Sequence, residues 1–346
     1  MALTIPASRP LSSLLTPVRQ PVVAVPELSV VIVNYRCWDD TARLLECLQD
    51  SPVFQRGLVE AVVVDNHSPP HPLASRLRRL RGVSLRRWGR NHGFARAANE
   101  GCRLSRGQWF LLLNPDVTLA NDFLEEVVVY SGRLTADRPD VGIVGFGLRD
   151  SSGADQPSAG RFPTLLNTIA RMILPRARRK YLLRSPRRGT EVPWVTGCCL
   201  LANRDCFRDL GGFDEDYFLY YEDVDLCRRA VEHGWTVYHE PALTVTHHNP
   251  LHRRAVPPHL RLYTRHALLT YAAKHWPAWQ FRVLAGLVGA EAWLRADAAR
   301  RKGEAHSAEL FGELRDLVHE MATGRQHAAR NRLSALIRRQ EKTCAP

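Results

Sequence analysis

The segment Leu28-Ser29-Val30-Val31-Ile32-Val33-Asn34-Tyr35 decides the fold. Val30 to Val33 are consecutive β-branched residues with no polar face, as in a strand buried on both sides, and the run stops at the polar Asn34-Tyr35. A helix follows, with Leu44, Leu45, Cys47 and Leu48 at helical spacing and Asp39, Asp40 or Thr41 as its cap. Val59-Glu60-Ala61-Val62-Val63-Val64-Asp65-Asn66 then repeats the strand pattern and ends in Asp-Asn. Two such strands joined by a helix are parallel and belong to an open α/β sheet, whose ligand sits outside the carboxyl ends of the strands. Asn34 and Asp65 are therefore expected to point into one crevice. No GxGxxG follows the first strand, which argues against a dinucleotide dehydrogenase. The plainer role for Asp65 is a turn residue before His67-Ser68-Pro69-Pro70.

Further along, Val83 to Trp88 reads as a third strand, and Asn91-His92-Gly93-Phe94-Ala95-Arg96-Ala97-Ala98-Asn99-Glu100 opens a helix of small residues. Gly93 and the alanines allow backbone to approach a ligand, and a helix N-terminus favours phosphate; close helix–sheet packing explains the alanines equally well. Trp109-Phe110-Leu111-Leu112-Leu113 is a strand ending in Asn114-Pro115-Asp116. Pro115 stiffens the turn and leaves Asp116 at the ligand-facing end, where one carboxylate beside a diphosphate can hold a hydrated divalent cation. Capping of the helix from Asn121 onward is the competing explanation for that carboxylate.

Beyond the strand-like Val141-Gly142-Ile143-Val144-Gly145, the segment from Arg149 to Gly189 is polar, basic and Pro-rich. It reads as a long loop with a short helix around Leu165 to Leu174, forming a cover over the crevice. Order returns at Val192 to Leu201. Gly211-Gly212-Phe213 then leads into Tyr217-Phe218-Leu219-Tyr220-Tyr221-Glu222-Asp223-Val224-Asp225-Leu226-Cys227-Arg228-Arg229. Here three carboxylates fall within four positions, between aromatics and arginines. A helix beginning at Asp223 puts Glu222 and Asp223 at its positive end and turns Leu226 and Ala230 inward. Burial raises a carboxylate's pKa while the dipole and arginine lower it, so a general base can be tuned here; an acidic helix cap is the plain alternative. Two further strands are expected at Trp235 to Tyr238 and Leu243 to His248. The second closes on His247, a candidate metal ligand.

With 45% hydrophobic and 24% charged residues, the chain has the composition of an ordinary globular protein. A formal charge of +13 and a pI near 9.8 imply an anionic partner. The basic clusters contain no nucleic-acid-binding motif, so nucleic acid is not expected. The eight cysteines include no CxxC pair, which suggests a reducing cytosol. Residues 1–26, with prolines but no continuous apolar core, read as a flexible leader and not as a signal peptide. From His259 the pattern is helical and basic, with Trp276, Trp279 and Trp293; the apolar run Val283 to Ala290 falls well short of the ~20 residues needed to span a bilayer. A basic, Trp-rich amphipathic helix can lie at a membrane interface, although packing on the main domain is the commoner role.

Together, VVIVNY, VVVDN, NHGFARAAN, LLLNPDV, TGCCLL, GGFDEDYFLYYEDVDLCRR and THH resemble the inverting family 2 glycosyltransferases of the GT-A fold, in their bacterial rhamnosyltransferase-like branch. The resemblance covers roughly Leu28 to His275. It implies a Rossmann-like, mostly parallel sheet flanked by helices over residues 27–255 and a basic helical extension over 256–346. It further implies that Asn34, Tyr35 and Asp65 hold the base and ribose of a nucleotide-sugar donor and that Asn91, Gly93 and Asn114 line its site. Asp116 would bind a Mn²⁺ or Mg²⁺ that bridges the diphosphate, with His247 completing the metal shell. Asp223 matches the general base, and Trp194, Thr196, Gly197 and Glu222 would lie on the acceptor side. The family's Asp-x-Asp is Asn114-Pro115-Asp116 here, a change familiar in the rhamnosyltransferase-like branch, which points to dTDP-rhamnose as donor. The implied acceptor is a lipid-linked or polysaccharide glycan at the cytoplasmic face of the plasma membrane, with the basic helices touching anionic lipid. A UDP-hexose donor on the same fold is the second reading. A non-catalytic basic scaffold is the third, and it requires Asp116, Asp223 and His247 to lie apart.

Overall fold

The computed structural model describes residues 25–173, 186–248 and 256–343. β1 (Leu28–Asn34) leads into α1 (Trp38–Asp50) and the single-turn α2 (Pro52–Gln55), β2 (Val59–Asp65) into α3 (Pro72–Leu77), and β3 (Val83–Arg87) into α4 (Phe94–Leu104). Next come β4 (Trp109–Leu113), the short β5 (Val117–Leu119), α5 (Phe123–Asp137) and β6 (Val141–Arg149). The expected long loop is partly organised, into β7 (Asp155–Gln156), β8 (Ala159–Gly160), α6 (Leu165–Ile173) and β9 (Thr190–Glu191). Residues 174–185 of that loop, like residues 1–24 of the expected leader, lie outside the described residues. β10 (Trp194–Val195), β11 (Cys199–Asn203), α7 (Arg204–Asp209), α8 (Glu222–Glu232) and β12 (Thr236–His247) complete the sheet region. The chain continues through α9 (Pro258–His275), α10 (Ala278–Arg301), α11 (Ala305–Ala322) and α12 (Gln326–Thr343).

The main sheet runs β3-β2-β1-β4-β11-β6-β12-β5. β3, β2, β1 and β4 are mutually parallel, as are β6 and β12. β11 enters antiparallel between β4 and β6, and β5 pairs antiparallel with β12, so the sheet is mixed. An apolar run such as Cys199–Asn203 fits either direction, because burial on both faces erases the alternation that would tell them apart. The two strands expected between Trp235 and His248 are one, β12, with a register irregularity between Glu240 and Thr244. Pro241, which has no N–H for the ladder, occupies that bulge and breaks the sequence pattern there without ending the strand.

Two apolar layers cover the sheet, one beneath α1, α3 and α5 and the other beneath α4, α7 and α8. The alanines of α4 serve the second layer. Ala95, Ala97 and Ala98 are fully buried, and a Cβ at Gly101 would stand 2.4 Å from Val31 Cγ1, so only small residues let α4 lie this close to β1. A third core forms among α9, α10, α11 and α12. α9 joins it to the sheet region, because Ala267 and Tyr271 belong to the second layer while Leu262, Leu268 and Leu269 face the helices. Glu291 of α10 accepts ion pairs from Arg261 and Arg265 of α9 and from Arg295, so much of the basic charge of α9 is spent inside the bundle. Burial works to raise the Glu291 carboxyl, yet those arginines hold it below its ordinary value. No helix among the described residues is long and apolar enough to cross a membrane.

Candidate active site

Three segments meet at the carboxyl ends of the central strands. In the first, at the ends of β1 and β2, Asn34 donates from Nδ2 to Asp65 Oδ1 at 3.0 Å and to Ser68 Oγ at 3.0 Å. Its Oδ1 accepts from Thr41 Oγ1 at 3.0 Å. Asp65 also accepts from the Ser68 N–H at 3.1 Å and from Arg87 Nε at 2.8 Å. Both side chains are fully buried, so the expectation that they point into the crevice needs correction: they brace the loop behind it. A buried carboxylate must find its partners within the protein, and Asp65 has taken them from Asn34, Ser68 and Arg87.

The groups that face open space are their neighbours. A cavity of about 600 Å³ is lined by Tyr35, Arg36, Asn66, Asn91 and Gly93 from the sheet region. Asn66, which the sequence reading passed over, donates to Asn91 Oδ1 at 2.8 Å and to the Gly93 carbonyl at 3.0 Å, and accepts from the His92 N–H at 2.8 Å. It thereby fixes the Asn91–Gly93 turn against the end of β2. The opposite wall comes from the C-terminal helices: His259 and Tyr263 of α9, His306 of α11, and Ile337 and Gln340 of α12. Tyr263 packs edge-on against Phe218 at 5.1 Å between ring centres and donates its hydroxyl to Gln340 Oε1 at 2.6 Å. The extension is thus part of the cavity and not an accessory. Nothing in a helical repeat of residues 259–340 announces which face closes a crevice more than 150 residues earlier in the chain.

The second segment, after β4, carries Asn114 and Asp116. The Asn114 N–H donates to the Cys198 carbonyl at 3.0 Å, tying this turn to the segment before β11. Because β12 pairs with β5 in the register His247 to Val117, it delivers His247 beside Asp116. His247 Nε2 stands 3.5 Å from Asp116 Oδ2, and the opposite ring nitrogen, Nδ1, faces Gln156 Oε1 at 3.3 Å. One carboxylate oxygen and one imidazole nitrogen at this spacing could together hold a divalent cation, which would supply positive charge beside a diphosphate. Among the described residues no group of three or more potential ligands gathers.

The third segment is the acidic one. α8 begins at Glu222, and the two residues before it, Tyr220 (φ 74°) and Tyr221 (φ 68°), are both left-handed. Bulky side chains pay about 1 kcal/mol or more each in this region, and such strain gathers at functional sites. The other left-handed non-glycine residues among those described, Arg36 and His67, follow the ends of β1 and β2. Asp223 Oδ2 accepts from the Gly197 N–H at 2.9 Å and Oδ1 from the Val224 N–H at 2.8 Å, so the carboxylate is fixed at the helix start, one residue from Cys198 and its link to Asn114. The plain helix-cap reading describes the Val224 contact but not the one to Gly197.

Glu222 and Trp194 are buried; the Trp194 indole donates to the Arg161 carbonyl at 2.8 Å, and the Thr196 N–H to the Ser158 carbonyl at 2.9 Å. Of the four residues expected on the acceptor side, Gly197 donates its N–H to Asp223. Asp225, two residues on, points the other way. It accepts from Arg229 Nε at 2.7 Å and the Tyr217 hydroxyl at 3.1 Å, and its Oδ1 lies 2.7 Å from His275 Nε2. Burial works to raise the Asp225 carboxyl, but His275 and Arg229 together hold it below the ordinary carboxylate value. This pairing clamps α8 to the end of α9.

The sequence profile described as glycosyl transferase family 2 matches residues 29–211, more than half of the chain. The chain belongs to glycosyl transferase family 2. Among curated proteins it is similar to the N-acetylglucosaminyl-diphospho-decaprenol L-rhamnosyltransferase of Mycobacterium tuberculosis, 30% identical over 275 residues that cover 73% of this chain and 86% of the relative. It is also similar to the rhamnosyltransferase WbbL of Escherichia coli, 27% identical over 46% of this chain and 60% of the relative. Among solved structures, GalNAc-T7, crystallised with UDP, GalNAc and Mn²⁺, superposes with a TM-score of 0.52 at 17% identity, covering 72% of this chain and 48% of that one. This likeness bears on the fold, which is GT-A with helices α9 to α12 added at its C-terminal end. The protein is a family 2 glycosyltransferase with rhamnosyltransferase relatives.

Proposed function

We propose that the enzyme transfers a rhamnosyl residue, with inversion at the anomeric carbon, from dTDP-rhamnose to a lipid-linked saccharide in cell-envelope glycan synthesis. The observation that carries the chemistry is the Asp223 carboxylate, oriented by the Gly197 N–H and joined through Cys198 to the Asn114-Pro115-Asp116 turn. In the proposed step an acceptor hydroxyl gives its proton to Asp223 as its oxygen forms a bond to the anomeric carbon. The bond from that carbon to the diphosphate breaks on the opposite face, and the nucleoside diphosphate leaves with the electron pair. A single carboxylate suffices, because the donor brings its own leaving group; a glycosidase would need a second acid across the sugar.

Tyr35, Asn66, Asn91 and Gly93 would receive the nucleoside in the 600 Å³ cavity, with Tyr263 and Gln340 as its far wall. Asp116 and His247 would hold a divalent cation, which would supply positive charge to the departing diphosphate. The rhamnosyl group is supported by the names of both rhamnosyltransferase relatives, and the lipid-linked acceptor by that of the Mycobacterium tuberculosis enzyme. An acceptor of that kind would be met on the cytoplasmic face of the plasma membrane, in peripheral contact with anionic lipid. Membership of glycosyl transferase family 2 counts against the scaffold reading, and the 3.5 Å approach of His247 to Asp116 agrees with that.

The test is thermal stabilisation by dTDP, UDP and GDP, each with and without Mn²⁺ or Mg²⁺, because a ligand that binds only the folded state raises the melting temperature. A metal-dependent rise with dTDP alone is the expected result. A rise with UDP alone would replace the donor with a UDP-hexose, and no rise with any nucleotide would overturn the site.

A further inference from the structure

α10 carries two apolar faces, and the bundle uses only one. Phe281, Leu284, Ala285, Val288, Ala292, Ala296 and Ala299 are buried in the core shared with α9 and α11. On the other side Trp279, Val283, Leu287, Trp293 and Leu294 are 60%, 44%, 36%, 54% and 59% exposed. At 100° per residue these five side chains fall within about 120° of the helix circumference, with the small Gly286 and Ala290 between them, and the stripe is about 22 Å long. A scattered exposed leucine is ordinary, whereas two tryptophans and three aliphatics aligned on one helix are not.

The charge around the stripe selects what covers it. Arg282 flanks its first turn, and Arg300, Arg301 and Lys302 stand exposed at its end. Asp297, the acidic residue on this side, is paired with Arg301 at 2.8 Å. The α9 arginines that the sequence offered to lipid are committed to Glu291, so α10 takes over that role. A convex, single-helix stripe with tryptophans toward both ends and cations at its margins matches the interfacial layer of an anionic bilayer, where indoles settle at headgroup level and arginines meet phosphate.

We propose that the outer face of α10, from Trp279 to Leu294, is a membrane-docking surface that seats the enzyme in the plane of an anionic bilayer. The proposal deepens the reading of a lipid-linked acceptor and rests on it for its purpose, but its physical basis is the stripe itself. The test is co-sedimentation of the full chain with phosphatidylcholine vesicles with and without phosphatidylglycerol, for the wild-type protein and the Trp279→Ser/Trp293→Ser variant. Both substitutions are at exposed positions, so circular dichroism and the nucleotide-dependent rise in melting temperature are expected to stay as in the wild type; loss of that rise in both proteins would count against the transferase reading alone. The expected result is binding to the phosphatidylglycerol vesicles, weakened by added salt and reduced roughly tenfold in the variant. Absence of vesicle binding, or equal binding by the variant, would overturn the proposal. So would a dimer in sedimentation velocity that the two substitutions dissolve, because the face would then belong to a second copy of the chain.

Discussion

Replacing Gly93 by alanine tests the geometry of the cavity most sharply. Gly93 has φ 88° and ψ 168°, a combination that belongs essentially to glycine. A Cβ there would stand 2.5 Å from the Phe218 carbonyl oxygen and 3.0 Å from the Phe218 Cα, so relief would require backbone movement. That same carbonyl accepts from the Phe94 N–H at 2.7 Å, the contact that joins the start of α4 to the segment before α8. The conformational cost is about 2 kcal/mol, and the overpacking adds about 1–3 kcal/mol. Gly93→Ala is therefore expected to lose about 3–5 kcal/mol of a typical total of about 5–15. Gly57 supplies the control, since its φ is 80° but nothing lies within 4 Å of an added Cβ. Gly57→Ala should cost only about 1 kcal/mol. Urea denaturation of both variants measures the difference, and nucleotide-dependent stabilisation reports on the cavity. A Gly93→Ala protein within about 1 kcal/mol of the wild type, or no less stable than Gly57→Ala, would refute the reasoning.

His275→Ala removes the α9 partner of Asp225 and leaves Tyr217 and Arg229, a loss of about 2 kcal/mol for a hydrogen bond to a buried charge. Because Asp225 and Asp223 share the first turns of α8, kcat should fall while the donor KM holds, and His275→Gln should recover part of both; unchanged stability would refute the clamp. His239 and His266 are held neutral, burial having pushed each pKa from 6.5 down to about 4. Their unfolded forms take up protons first as pH falls, so stability present above pH 6.5 should drain away toward pH 4, by roughly 3 kcal/mol per histidine over the full range. The depressed Asp225 works in a lower window, its contribution fading only as pH drops through its folded value. Urea midpoints measured from pH 7 to pH 4.5 check the sum, and a constant midpoint would contradict it.

The parts of this enzyme that the sequence made legible are those where one strand carries its own signal. The apolar runs at Leu28–Asn34, Val59–Asp65 and Trp109–Leu113 are parallel neighbours, and the residues just past the first two, Tyr35 and Asn66, line the cavity. Leu226 and Ala230 turn inward, as their spacing required. What stayed hidden depends on partners distant in sequence. Asn34 and Asp65 look like ligand-facing groups until Arg87 and Ser68 are seen to consume their hydrogen-bonding capacity. Asp225 looks like a third active-site carboxylate until His275, 50 residues later, is found against it. The far wall of the cavity was illegible for the same reason, since Tyr263 and Gln340 come from helices whose faces are assigned only by packing.

The general base is the point on which the account turns, and Asp223→Asn is the measurement that reaches it directly. The carboxamide keeps the size of the side chain and one oxygen for the Gly197 N–H, giving up only the local bond from the Val224 N–H, so folding and nucleotide-dependent stabilisation should persist. Transfer from dTDP-rhamnose to a polyprenyl-diphosphate-linked saccharide should fall by about 10²-fold or more, the loss expected when a positioned base is removed. A variant that binds nucleotide and still transfers at the wild-type rate would contradict it.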